Sequence, residues 1–242
     1  MARYVLKFGG SSVADAAKLY AAARKLAAEH RAGHEVIGVL SAQGGTTDAL
    51  LAKAREIDPD CCGRELDALL STGEICSVSL CALALRRLGV PAVSLCGWQA
   101  GLVTESVHGG ARVLRLEGGR IERELRANNI VLVAGFQGID DAGDITTLGR
   151  GGSDTTAVAL SAFLHADRCR IYTDVDGVYN KDPRRYPDAV KYDTISYDEM
   201  LTLARSGARV LHDRCVELAK RYGVEIEVLS SFRPLPGTVV RR

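Results

Sequence analysis

The chain has 242 residues, enough for one domain with a substantial core, and 47% of them are apolar while 25% are charged. This balance is typical of a soluble globular protein rather than a disordered or membrane-embedded one. Lys and Arg (31) nearly cancel Asp and Glu (30), so there is no global positive field of the kind that holds nucleic acid or anionic membranes without specificity. Any anionic ligand must be held by local groups.

The first residues contain only a short apolar run before Lys7, too little for the hydrophobic region of a signal peptide. No uninterrupted apolar stretch approaches the length that spans a bilayer, so we expect a cytoplasmic protein. The seven cysteines include no CxxC pair and have no histidine at ligand spacing. They fit small buried side chains in a reducing compartment, and we expect neither a disulfide framework nor a metal site.

Short β-branched runs alternate with longer helical patterns, and most of the runs are almost wholly apolar, as expected for strands covered on both faces. The predicted strands are residues 4–8, 36–40, 92–95, 130–134, 170–173 and 226–229. The predicted helices are residues 14–30, 46–57, 64–88, 121–128, 153–166 and 197–222, the last broken near Gly207. This alternation predicts an α/β fold, a three-layer αβα sandwich with a mainly parallel central sheet.

One polar segment, residues 138–150, interrupts the alternation. It fits either a hairpin or a join between two lobes. Substrate clefts favour such joins, so both interpretations place the segment near a binding site.

The first predicted strand leads into a glycine turn. Lys7 lies near the strand's end, and Gly9, Gly10 and Ser11 follow it. Glycines let the backbone approach a phosphate closely, and a helix start supplies free N–H groups and a positive dipole end. The turn therefore has the outline of an anion site, although Ser12, with an acidic residue three positions on, also fits a simple helix cap.

A second glycine-rich turn spans residues 146–156. It places Arg150 among glycines, and Ser153 and Asp154 follow at a helix start. This arrangement offers N–H donors and a guanidinium fork that suits a carboxylate. Two such turns together favour an anion site over coincident helix caps. Neither turn is a Walker A loop, and the sequence also lacks a dinucleotide fingerprint and the protein-kinase signatures.

A third segment, residues 171–179, reads as a strand that ends in Thr173-Asp174 and runs into a glycine turn. Its polar groups would lie at the carboxyl edge of a parallel sheet, where ligands of open α/β folds bind. Adenine and ribose contacts could form there, although Asp176-Gly177 also fits ordinary turn chemistry.

Taken together, these segments resemble the aspartate kinases of the amino-acid kinase superfamily. The resemblance spans the whole chain, and its segments follow the family's order. They are residues 7–13 (KFGGSSV), 71–74 (STGE), 97–101, 104–106, 135–138, 147–156, 173–179 and 207–212.

The resemblance implies that ATP, with Mg²⁺, phosphorylates the side-chain carboxylate of L-aspartate to give 4-phospho-L-aspartate. Arg150 would hold the substrate's α-carboxylate and Glu74 its α-ammonium. The implied catalytic residues are Lys7 and Asp154. The implied substrate residues are Ser41, Thr47, Glu74, Phe136, Arg150, Gly151 and Ser153. The implied nucleotide residues are Lys7, Gly9, Gly10, Ser11, Thr173, Asp174, Tyr179, Arg184 and Arg209.

The resemblance also implies the organisation of the protein. We expect one amino-acid kinase domain over residues 1–242, with a substrate lobe at 1–143 and a nucleotide lobe at 144–242, and a homodimer. Relatives usually continue into paired regulatory domains beyond the segment that matches Gly237-Thr238. We therefore expect no built-in feedback by lysine or threonine unless a separate regulatory subunit restores it.

Two alternatives remain. A superfamily kinase could act on another acceptor, such as glutamate, acetylglutamate or a nucleoside monophosphate, but Glu74 with Arg150 favours a free α-amino acid. A catalytically silent sensor could retain the fold, but the presence of Lys7 and Asp154 argues against it. An aspartate side chain is already ionised at neutral pH, so no general base is needed. The histidines at 108, 165 and 212 are therefore interpreted as structural.

Overall fold

The computed structural model describes residues 1–183, 185–207 and 210–242. Its strands are β1 (Arg3–Phe8), β2 (Glu35–Leu40), β3 (Ala92–Leu95), β4 (Leu102–Thr104), β5 (Val113–Leu116), β6 (Ile130–Ala134), β7 (Gln137–Ile139), β8 (Ile145–Thr147), β9 (Arg168–Thr173), β10 (Thr194–Ser196), β11 (Ile226–Ser230) and β12 (Thr238–Arg241). Its helices are α1 (Ala16–Arg31), α2 (Thr46–Ile57), α3 (Gly63–Arg87), α4 (Gly119–Arg126), α5 (Gly152–Phe163), α6 (Tyr197–Arg205) and α7 (Asp213–Tyr222).

The central sheet has eight strands in the order β10-β12-β11-β9-β1-β2-β6-β3. Every neighbouring pair from β11 to β3 is parallel, and β10 is parallel to β12. Only the β11–β12 pair is antiparallel in this sheet, among the residues described. The predicted mainly parallel sheet is confirmed, and the carboxyl ends of β9, β1 and β2 meet at one edge.

The sheet is covered on both faces, which confirms the predicted three layers. On one face Leu6 and Phe8 pack with apolar residues of α1 and α3. On the other face Val5 packs with apolar residues of α4, α5, α6 and α7. Side chains alternate along a strand, so Lys7 lies on the same face as Val5 and points toward α5.

A second sheet of four strands, in the order β5-β4-β7-β8, was not predicted from the sequence. Its strands have three or four residues each and lack a long apolar run. Strands β7 and β8 pair antiparallel, so residues 138–150 contain a hairpin. The proposed lobe boundary at 143/144 falls in the turn of this hairpin, and the division into two lobes stays a prediction.

The predicted helices are confirmed with two changes in detail. Helix α1 begins at Ala16 and is capped by Asp15, whose carboxylate accepts a hydrogen bond from the Lys18 N–H at 2.9 Å. Residues 10–12 form a separate 3-10 turn, so the interpretation of Ser12 as the helix cap was wrong. The Ser12 hydroxyl lies 2.5 Å from that of Ser231 instead. The predicted break near Gly207 is confirmed, because α6 ends before it and α7 begins after it.

Helix α3 is long and apolar enough to cross a membrane by length and composition, and half of that segment is buried inside the protein. Its buried face carries two carboxylates, Asp67 and Glu74. We interpret α3 as a core helix, and the cytoplasmic location stays a prediction.

Candidate active site

A cleft of about 210 Å³ opens at the carboxyl edge of the central sheet. It is lined by Lys7, Ser41, Ala42, Thr47, Glu74, Phe136 and residues 149–154. The structure therefore brings together every catalytic and substrate residue named from the sequence, namely Lys7, Ser41, Thr47, Glu74, Phe136, Arg150, Gly151, Ser153 and Asp154. Ala42, Gly149 and Gly152 also line the cleft but were not named as site residues from the sequence; the two glycines belong to the turn at residues 146–156, and Gly152 begins α5.

A buried ion pair lies at the base of the cleft. Lys7 Nζ is 2.5 Å from Asp154 Oδ1, and the two residues are 8% and 9% exposed. Lys7 comes from β1, whereas Asp154 belongs to the first turn of α5, where the helix dipole stabilises a carboxylate. The ion pair holds the Lys7 ammonium group at the cleft, where a second anion can approach it.

The first glycine turn lies next to this ammonium group. A β-carbon at Gly9 would lie 3.5 Å from Lys7 Nζ, and the Gly9 N–H donates to the Tyr172 carbonyl at 3.2 Å. A β-carbon at Gly10 would lie 2.7 Å from the Ala42 carbonyl oxygen, too close to be tolerated. Glycine at position 10 therefore lets the loops after β1 and β2 pack together beside Lys7.

Glu74, on α3, is the most unusual carboxylate in the cleft. Its Oε1 accepts a hydrogen bond from the Ala42 N–H at 3.0 Å, whereas its Oε2 is buried without a hydrogen-bond partner among the described residues. The residue is 4% exposed, and burial raises the pKa of Glu74 to about 7. A cationic ligand at Oε2 would supply the missing partner.

The loop that carries Arg150 requires glycine on both sides. Gly149 and Gly151 have φ values of +73° and +71°, and a β-carbon at Gly151 would lie 2.3 Å from the β-carbon of His212. These turns present the exposed Arg150 side chain to the cleft. Its guanidinium group is free to form a bidentate pair with a carboxylate.

Phe136 connects this loop to the central sheet. Its carbonyl accepts from the Leu148 N–H at 2.8 Å, and its own N–H donates to Thr156 Oγ1 at 3.1 Å. Phe136 has a φ of +71°, a conformation that is rare for a bulky residue and that concentrates at functional sites. The cleft therefore contains a strained turn held by hydrogen bonds from both sides.

Of the nucleotide residues named from the sequence, Lys7 lines the 210 Å³ cleft, whereas Gly9, Gly10, Ser11, Thr173, Asp174 and Tyr179 do not line it. Thr173 ends β9, which pairs with β1, and its hydroxyl donates to Asp174 Oδ1 at 3.2 Å. The Tyr179 hydroxyl donates to Asp176 Oδ1 at 2.9 Å. Arg184 and Arg209 lie outside the described residues.

Two polar side chains that support the Arg150 loop, the buried Asp67 and the partly buried Arg214, were not singled out from the sequence. Asp67 on α3 accepts hydrogen bonds from Thr147, at the end of β8. Arg214 on α7 donates from Nη1 to the carbonyls of Gly110 (3.1 Å) and Leu148 (3.2 Å). The only signal for Asp67 in the sequence is a charged residue seven positions before Glu74, on the same side of a helix.

Comparison with known proteins identifies the family of this chain. The model of the amino acid kinase family matches residues 2–230. The aspartokinase of Bacillus sp. (strain MGA3) is 51% identical over 240 residues. That match covers 99% of this chain but 58% of the relative, so the chain spans little more than half the length of that enzyme.

Solved structures agree with the sequence comparison. An aspartate kinase from Synechocystis superposes with a TM-score of 0.87 at 48% identity, covering 98% of this chain and 40% of that one. E. coli aspartokinase III, in complex with aspartate and ADP, superposes with a TM-score of 0.89 at 29% identity, covering 99% of this chain and 64% of that one. With a family match over residues 2–230 and the same fold in these enzymes, the chain belongs to the amino acid kinase family.

Proposed function

We propose that this chain transfers the γ-phosphoryl group of ATP to the side-chain carboxylate of L-aspartate and forms 4-phospho-L-aspartate. The observation that carries the proposal is Glu74 Oε2, a buried oxygen without a partner among the described residues, in the same cleft as Arg150 and Lys7. A free α-amino acid has an ammonium group that can bind Glu74 and a carboxylate that can bind Arg150. The similarity to aspartokinases, one of them solved with aspartate and ADP, supports aspartate as the acceptor.

In this proposal the substrate is held at both ends of its backbone. Glu74 accepts hydrogen bonds from the α-ammonium, while Arg150 forms a bidentate pair with the α-carboxylate. The walls formed by Ser41, Thr47 and Phe136 complete the pocket, together with Gly151 and Ser153. The side-chain carboxylate of the substrate then points toward Lys7.

The transfer step needs no general base, because an aspartate side chain is ionised at neutral pH. A carboxylate oxygen attacks the γ-phosphorus, the bond from that phosphorus to the β–γ bridging oxygen breaks, and ADP leaves with the electron pair. Lys7 offsets the negative charge on the phosphoryl oxygens in the transition state. Asp154 holds the Lys7 ammonium in place.

We place the ATP phosphates against Gly9, Gly10 and Ser11, beside Lys7. Because the Gly9 N–H donates to the Tyr172 carbonyl, the donors to the phosphates would be the main-chain N–H groups of Gly10 and Ser11 and the Ser11 hydroxyl. The adenine and ribose then lie toward Thr173, Asp174 and Tyr179. The sequence also names Arg184 and Arg209 as nucleotide residues. Within the described residues, no group of three or more His, Cys, Asp or Glu side chains could hold a metal ion. Mg²⁺ would therefore be bound chiefly by the ATP phosphates, where it would neutralise part of their charge.

The test is an assay with ATP, Mg²⁺ and a panel of acceptors, in which hydroxylamine traps any acyl phosphate as a hydroxamate. The panel contains aspartate, glutamate and N-acetylglutamate, and a nucleoside monophosphate is followed by ADP release. We expect a hydroxamate with aspartate alone. A hydroxamate from glutamate but not from aspartate would overturn the assignment, and Lys7→Met provides a background without catalysis.

We also infer a homodimer from the family resemblance, and a separate regulatory subunit is a further possibility under the same reasoning. The mass of the purified chain in solution, measured by light scattering, tests the first inference. A monomer at micromolar concentration would contradict it.

A further inference from the structure

Helix α3 presents three residues to the protein interior at spacings of four and three, so they form one stripe along the helix. They are Asp67, Ser71 and Glu74, which are 1%, 1% and 4% exposed. Glu74 is the cleft carboxylate described above. The Ser71 carbonyl accepts a hydrogen bond from Gln137 Nε2 at 2.8 Å, which ties α3 to the residue after Phe136.

Asp67, at the other end of the stripe, binds two segments through its carboxylate. Thr147 donates to it from both its N–H and its Oγ1, at 2.7 Å each. The Gly109 N–H lies 3.1 Å from Oδ1 and 3.0 Å from Oδ2, and His108 Nδ1 lies 3.3 Å from Oδ2. Both oxygens of this buried carboxylate therefore accept hydrogen bonds from backbone N–H groups.

The segments that Asp67 holds lead directly to Arg150. Thr147 is the last residue of β8 and lies three positions before Arg150. A β-carbon at Gly149 would lie 3.0 Å from the Gly109 carbonyl oxygen, so the Gly109 segment packs under the Arg150 loop. A change at Asp67 would therefore move the loop that presents Arg150, although Asp67 itself does not line the cleft.

We propose that Asp67 is a positioning residue: by fixing Thr147 and Gly109 to the helix that carries Glu74, it sets the separation between Glu74 and Arg150. That separation determines how well the ammonium and the carboxylate of one amino acid fit both residues together. The inference rests on the proposed function. It concerns acceptor affinity and not phosphoryl transfer, because Lys7 and Asp154 lie on β1 and α5 and pair with each other, whereas in the described part of the chain Asp67 pairs with Thr147, Gly109 and His108.

The first test is Asp67→Asn, which keeps the shape of the side chain but turns an NH₂ group toward groups that donate hydrogen bonds. We expect the KM for aspartate to rise at least about tenfold, while kcat and the KM for ATP stay within about twofold. Thr147→Val removes one of the four donors and should give a smaller rise of the same kind, whereas Thr147→Ser keeps the hydroxyl and should restore the wild-type KM.

A matched control separates positioning from general loss of stability. Val78→Ala truncates a buried side chain on the same helix, in the core that faces α1, and leaves the Asp67 network intact. We expect Val78→Ala to lower the unfolding midpoint in urea and to leave the KM for aspartate unchanged. A KM that rises equally in Val78→Ala and Asp67→Asn would overturn the inference.

Amide hydrogen exchange without any substrate completes the design. Asp67→Asn should speed exchange of the amide hydrogens of Gly109 and Thr147. Unchanged protection of these two amides would overturn the inference, whichever acceptor the enzyme uses. If the wild-type chain phosphorylates no aspartate, the proposed function fails. If it is active while Asp67→Asn keeps its KM for aspartate, the positioning role alone fails.

Discussion

The two sides of the cleft are held by different kinds of contact. Lys7 lies on a central strand between Leu6 and Phe8, which are almost fully buried, so packing fixes its backbone, and Asp154 then holds its ammonium group. Arg150 follows a three-residue strand of the small sheet, and its loop is held by hydrogen bonds that Asp67 on one helix accepts and Arg214 on another donates. The comparison indicates that the group for phosphoryl transfer is built into the core, whereas the group that recognises the acceptor depends on a few buried polar contacts.

The comparison predicts the largest effect at Lys7. Lys7→Met keeps most of the apolar stem and removes the charge, so kcat should fall by about 10³-fold or more, since one preorganised charge typically contributes that much. The change also leaves the buried Asp154 carboxylate without its cation, so the urea midpoint should fall as well. Steady-state kinetics and urea unfolding measure the two quantities.

Lys53→Ala provides the control, because Lys53 is exposed on α2 and does not line the cleft. It should have wild-type activity. Near-wild-type kcat in Lys7→Met would contradict the role given to Lys7 and, with it, the difference drawn between the Lys7 side and the Arg150 side of the cleft.

The next effect is expected at Arg150. Arg150→Lys keeps a positive charge but loses the planar fork, so the KM for aspartate should rise about 30- to 100-fold, while the KM for ATP changes little. Arg126→Lys, at an exposed position near the end of α4, controls for the exchange itself. Equal increases in both KM values would show that the two sides of the cleft are not independent.

Glu74 should give a smaller kinetic effect and a distinct pH dependence. Glu74→Gln cannot hold an ammonium group as strongly, so the KM for aspartate should rise about tenfold, with Glu56→Gln on the surface of α2 as the control. Because the pKa of Glu74 is raised to about 7, the wild-type KM should also increase as the pH falls below about 7. The Gln variant should lack that increase.

The same shift has a consequence for stability. The folded protein holds a proton on Glu74 up to about pH 7, whereas the unfolded chain loses it near pH 4.5, the ordinary pKa of a glutamate side chain. The free energy of unfolding should therefore fall as the pH rises between these values, and Glu74→Gln should be more stable than wild type at pH 8 by about 2–3 kcal/mol. Urea unfolding at pH 5 and pH 8 tests this. An equal free-energy difference at both pH values would contradict it.

The two regions also differ in how far the sequence predicts them. The apolar runs of the central sheet and the two glycine turns were sufficient to predict the α/β layers and, with the family resemblance, nine of the twelve residues that line the cleft, whose roles stay predictions. The small sheet was missed because its three- and four-residue strands take their stability from pairing and from side-chain bonds such as Thr104 to Thr146, whose hydroxyl oxygens are 2.6 Å apart. Asp67 was missed for the same reason, since its partners lie 41 or more positions away in the chain.

The smallest effect is expected at the nucleotide side. Tyr179→Phe removes the hydroxyl that donates to Asp176 and keeps the ring, so one partly buried hydrogen bond is lost, worth about 1 kcal/mol. The KM for ATP should rise about three- to fivefold, and the KM for aspartate should stay within error, because Tyr179 lies outside the 210 Å³ cleft. Tyr222→Phe, at the exposed end of α7, is the matched control. A rise in the KM for aspartate but not for ATP would move Tyr179 to the acceptor side and contradict its assignment to the nucleotide.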